Sequence, residues 1–151
     1  MTDDKELAKL KNKVELLTMM TLETDVFKKG LYAIALNNEW SMLEPGRILL
    51  VMNEFACQKQ EQTYSYEDIE KRLQLTSEEM IAIMAHFSWH QSYMLVVKRY
   101  LETFLQANQN AQNGNIATYT TYQGMLADLM GRMFDYRPPL QGIRRVGNQI
   151  F

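Results

Sequence analysis

The sequence predicts a mainly α (α+β) chain of two helix-turn-helix-like units with small β elements, led by an N-terminal helix. Three observations predict it. Apolar residues recur at helical spacing in most stretches between polar loops. Ser65 and Thr76 each precede an acidic residue by three positions, as at capped helix starts. One pattern of apolar positions is written twice along the chain.

Residues 3–22, DDKELAKLKNKVELLTMMTL, place Leu7, Leu10, Val14 and Leu17 at alternating steps of three and four, with lysines and glutamates between them. This predicts a helix. Its seam spans about two heptads and leaves two uses open: a homodimer through the N-terminal helix as a parallel coiled coil, or packing on the chain's own core. KKGLYAIALNN at 28–38, opened by Gly30 and closed by two asparagines, alternates apolar and other residues and reads as a strand. Glu44-Pro45 starts the next helix, because proline is tolerated at the first helical position, and Ile48, Val51, Met52 and Phe55 form its inward stripe.

In QTYSYEDIEKRLQL, Ser65 stands three residues before Asp68, and further on Thr76 stands three before Glu79. Each hydroxyl can satisfy a free amide while the acid reaches back. Ile69 and Leu73 line the first helix, Met80, Met84 and Phe87 the second, and the turn between them is tight. With the Pro45 helix they form a three-helix core, followed by the β-capable SYMLVVKRY.

The same plan returns downstream. Ile48, Met52 and Phe55 correspond to Val97, Leu101 and Phe104, and Tyr66, Ile69 and Leu73 to Tyr122, Met125 and Leu129. The asparagine- and glutamine-rich loop 106–115 absorbs the difference in spacing. After Gly131, DYRPP turns the chain towards a last helix from Pro139, with Leu140, Ile143, Val146 and Ile150 inward. The division is an N-terminal helix over 1–27, a first unit over 28–92 and a second over 93–151.

Composition narrows the function. At 151 residues, 46% hydrophobic and 23% charged, the chain can bury a core without disulfides. A lone cysteine, Cys57, and no basic-then-apolar leader suggest a cytoplasmic setting, and no apolar run approaches a bilayer span. A net charge of -2 argues against coating nucleic acid by bulk positive charge, so DNA binding must be local. The charges after Asp128 are four arginines against one aspartate.

LEPGRILLVMNEFA, then YSYEDIEKRLQLTSEEM with SYMLVVKRY after it, resembles winged helix-turn-helix proteins of plasmid and phage regulators. Two such units in one short chain are also similar to TraN-type accessory proteins of conjugative transfer. The resemblance covers residues 43–151. It implies double-stranded DNA as partner, in transcription regulation or as a conjugation or replication accessory. The acidic first unit departs from it, since two glutamates at the start of a reading helix repel phosphate.

Within such a unit the second helix of each hairpin reads base edges. With the 140–150 stripe inward, Gln141, Arg144, Arg145, Asn148 and part of Gln149 face outward, where arginine suits guanine and amides suit adenine. Arg137 and Thr121, with Thr120 and Tyr122, stand where phosphates would be held. Ser77, Lys71 and Arg72, with His86, Gln91, Lys98 and Arg99, are the weaker contacts of the first unit.

Other chemistry is poorly represented. His86 and His90 in HFSWH share a helix face but lack a third ligand, so packing is the simpler reading and no metal or cofactor is expected. The aromatic set, including Trp40, Tyr64, Tyr66 and Trp89, suits core packing better than stacking on single strands. No glycine-rich phosphate loop or nucleophile-base set occurs, so the chain is expected not to be an enzyme. A second function class stays open: a small phage or plasmid adaptor docking on a protein. Its acidic balance, 11 methionines and N-terminal seam suit that role.

Overall fold

The computed structural model describes residues 2–58, 63–110 and 116–134. Among them are seven α-helices and no strand: α1 (Thr2–Leu22), α2 (Val26–Asn37), α3 (Glu44–Ala56), α4 (Tyr66–Leu73), α5 (Ser77–Trp89), α6 (Met94–Ala107) and α7 (Ile116–Phe134). The expectation of an α+β fold with small β elements is therefore overturned, and the two segments read as strand or wing are helices.

The first of these is α2. Asp25 caps it, its carboxylate accepting from the amide of Phe27 at 3.2 Å. Leu31 and Ala35, one turn apart, are buried, which is a helical and not an alternating pattern. Gly30, read as the opening of a strand, lies inside this helix, where any side chain would strike the imidazole of His86 on α5. The second is α6. Its β-branched start is overridden by packing: Val96, Val97, Tyr100, Leu101 and Phe104 are all buried along one helical face.

The remaining elements follow their local signals. Pro45 sits in the first turn of α3, which buries Ile48, Val51, Met52 and Phe55. The capping box of α5 is complete: Thr76 N donates to Glu79 Oε1 at 2.8 Å, and Glu79 N donates to Thr76 Oγ1 at 3.2 Å. At α4, Ser65 N donates to the Asp68 carboxylate at 2.9 Å, while the Tyr66 amide is taken by Thr103 Oγ1 of α6 at 2.8 Å. Gln74 adopts a left-handed conformation, φ 56°, and the three residues 74–76 turn the chain from α4 to α5.

The tertiary arrangement departs from a three-helix core of α3, α4 and α5. Helix α5 lies against α2, α6 and α7, while α4 lies against α3 and α6. Helix α6 is central, touching α3, α4, α5 and α7. One buried cluster runs from Leu16 to Leu129 and includes Ile48, Ile69, Met84, Phe87, Tyr100 and Tyr122.

Candidate functional site

The described DNA-facing candidates Ser77, Lys71, Arg72 and Thr121 are exposed and are spread over α4, α5 and α7. On α5, Met80, Ile83, Met84, Phe87 and Ser88 are buried, and the exposed positions are Ser77, Glu78, Ala85 and Trp89. None of those is a cation, and a phosphate approaching Ser77 would meet Glu78. Lys71 and Arg72 are exposed on the last turn of α4, where Arg72 pairs with Glu54 of α3. Thr121 is exposed but does not cap a helix, because α7 begins at Ile116; its hydroxyl donates back to Ala117 O at 2.9 Å. Tyr122, expected beside it as a phosphate contact, is buried. Arg137, Gln141, Arg144, Arg145, Asn148 and Gln149 lie outside the described residues, as does the predicted helix from Pro139.

Each arginine among the described residues is engaged within the fold. Arg47 donates to Glu44 and to the carbonyls of Arg72 and Leu73, closing the C-terminal end of α4. Arg132 donates to the carbonyls of Ser88 and Trp89 at 3.3 and 3.2 Å, closing α5, pairs with Asp128 at 3.0 Å and lies over the Trp89 ring. Arg99 donates to Tyr64 O at 2.7 Å and lies over the Tyr64 ring. Lys98 pairs with Glu102 at 3.2 Å. Of the side chains that sequence alone offered as nucleic-acid contacts, Arg72, Lys98 and Arg99 thus brace the fold.

The two histidines are also structural. His86 Nε2 carries the proton and donates to Phe27 O at 2.8 Å, because a carbonyl can only accept. Its ring stacks on Phe27 with centroids 4.9 Å apart and approaches His90 at 4.5 Å. Burial holds the His86 imidazole below its ordinary pKa, against the Phe27 bond, with His90 depressing it further. Among the described residues no cluster of three or more His, Cys, Asp or Glu could hold a metal, and no helix is long and apolar enough to cross a membrane.

The surface that stands out is on α1. Leu7, Leu10, Val14 and Leu17 are 64%, 58%, 52% and 49% exposed, whereas Leu16 on the opposite side is fully buried. Helix α1 packs against α2 through that opposite side. Asn12 fixes its roll: Nδ2 donates to Trp40 O at 2.7 Å, and Oδ1 accepts from Met42 N at 3.1 Å. Trp40 is in turn tied to α5, its indole Nε1 donating to Glu79 Oε2 at 2.6 Å. The Thr76 amide first, and the Trp40 and Thr76 side chains after it, hold Glu79 below the usual carboxylate range. Sequence reasoning found the outward seam and missed the Asn12 clamp. The signal was a second apolar stripe, Leu16, Met19 and Met20, on the other side of the same helix.

A second concavity, about 420 Å³, lies between α3 and α6 and is lined by Phe55, Tyr64, Tyr93, Met94, Lys98 and Glu102 among others. It brings together no nucleophile with a base. Set against known proteins, the chain matches no protein-family model, no curated protein and no solved structure.

Proposed function

We propose that the chain is a non-enzymatic helical adaptor that docks on protein through the outward face of α1. The observation that carries this reading is the row of four half-exposed or more exposed aliphatic side chains on a helix whose other side is clamped by Asn12 and Leu16. A contiguous apolar row on an ordered helix, bordered by charge, is the kind of surface that protein partners cover. The described arginines are committed to bonds within the fold, and the net charge of -2 over the whole chain disfavours binding a polyanion through bulk charge. The test is affinity capture with the intact chain and with Leu10→Glu and Leu17→Glu, each checked for native helicity. A protein held by the intact chain and lost from both variants supports docking through α1; equal retention by all three counts against it.

A second reading concerns the C-terminal segment, where the sequence concentrates Arg137, Arg144 and Arg145. On this reading those arginines, with Gln141, Asn148 and Gln149, bind double-stranded DNA, and the chain acts as a regulator or as a transfer or replication accessory. Duplex titration at rising salt tests it. Each phosphate contact removed by Arg144→Ala or Arg145→Ala should reduce the salt slope by about one unit. A slope unchanged in both variants excludes it.

A further inference from the structure

We infer that the occupant of the α1 face is a second copy of this chain, joined in a parallel, in-register coiled-coil pair. The inference rests on reading α1 as the docking face and names its partner. The pattern of side chains, and not exposure alone, selects that partner. Taking Leu7 as an a position, the seam reads Leu7, Val14 and Thr21 at a, with Leu10 and Leu17 at d. β-Branched residues at a with leucine at d favour two parallel strands, because the χ1-restricted branch packs well at the parallel a layer. Val14 and Thr21 meet that condition at two of the three a layers.

Thr21 fits the seam despite its hydroxyl. Its Oγ1 donates to Leu17 O at 2.9 Å, and Thr18 Oγ1 donates to Val14 O at 2.8 Å. Both hydroxyls are satisfied within the helix, so their methyl groups can extend the apolar face without leaving a buried donor unmade.

Charge then selects the direction. Glu6 occupies g and Lys11 the following e, and both are exposed. In a parallel pair g of one helix lies beside the next e of the other, so Glu6 of each copy meets Lys11 of its mate, twice by symmetry. An antiparallel pair with the same apolar layers would set Lys11 against Lys11, and like charges there oppose association. The buried side of α1 takes no part, so pairing requires no rearrangement of the fold.

The test uses the full chain in sedimentation equilibrium over a wide concentration range. The wild type should populate a dimer, and Leu10→Glu, whose position is exposed in the monomer, should remain monomeric with unchanged helicity. Glu6→Lys and Lys11→Glu should each weaken association by about two- to tenfold, and the double exchange should restore it. For register, Leu10→Cys in a Cys57→Ser background should form a disulfide-linked dimer on mild oxidation. A wild type that stays monomeric up to about 1 mM, the weak end of specific association, overturns the inference. If α1 variants still lose a captured protein in that case, the adaptor reading survives without it. A dimer that is linked only when Leu10→Cys is mixed with Val14→Cys is antiparallel, and it overturns the parallel arrangement.

Discussion

The hydroxyls of Tyr100 and Tyr122 meet at 3.3 Å in the buried seam between α6 and α7, and Tyr100 donates onward to Glu70 Oε2 of α4 at 2.7 Å. Because the Tyr100 proton is committed to the carboxylate, the Tyr122 hydroxyl donates to the Tyr100 oxygen. Three helices are thereby joined by one short chain of bonds, with the two rings edge to face at 5.5 Å.

Tyr100→Phe should cost more than Tyr122→Phe. The first leaves the buried Tyr122 hydroxyl without a partner, a loss of about 1–3 kcal/mol; the second leaves Tyr100 bonded to Glu70 and should cost about 0.5–1.5 kcal/mol. Urea midpoints of the two variants check the order, and the reverse order would refute the donor assignment.

Burial holds both phenols in the neutral form, with the Tyr122 pKa pushed up to about 12 and that of Tyr100 raised still further. A tyrosine whose folded pKa exceeds its unfolded value of 10.0 stabilises the fold below that pH and loses this contribution as pH rises. Stability should therefore fall from pH 10 upward. In a spectroscopic titration, Tyr100 and Tyr122 should ionise late, together with unfolding.

His86 works in the opposite direction on the scale. Its folded pKa lies below the unfolded 6.5, so its contribution is complete above that pH and is lost as pH falls below it. The midpoint of chemical denaturation should decline on acidification through this window, before carboxylates such as Glu79 titrate. In His86→Gln that part of the decline should vanish.

Glycine substitutions should differ in sign within this one protein. Gly30→Ala would place a methyl on the His86 ring and should destabilise by about 1–3 kcal/mol, although alanine is ordinarily the better helix former. At Gly124 in α7 nothing lies within 4 Å of an added Cβ, and Gly124→Ala should stabilise by about 0.5–1 kcal/mol. Thermal melts of both variants are sufficient.

Asn12→Ala should release α1 without unfolding the rest. Loss of the bonds to Trp40 O and Met42 N removes what fixes the helix roll, at about 1–2 kcal/mol. Hydrogen exchange should accelerate in α1 while α6 stays protected.

The helices that could be read from sequence were those whose starts carry their own chemistry. Pro45, Ser65 with Asp68, and Thr76 with Glu79 announce α3, α4 and α5 within a few residues, and the structure has all three helices. Helices α2 and α6 were misread because their cues come from across the fold: Gly30 answers to His86 on another helix, and Val96 and Val97 to the core. The same holds for function. The seam Leu7, Leu10, Val14, Leu17 was visible, but only the opposite stripe and the Asn12 clamp decide that it faces outward. Arg72 and Thr121 were offered as contacts because sequence shows a charge or a hydroxyl without its partner, here Glu54 and the Ala117 carbonyl.

The placement of the two tryptophans gives the chain two optical probes. Trp40 is 8% exposed at the junction of α1 with α5, whereas Trp89 is 70% exposed beneath the Arg132 guanidinium. Their emission should separate into a blue component shielded from iodide and a red one open to it. A single fluorescence trace can then distinguish loosening at one end of α5 from fraying at the other.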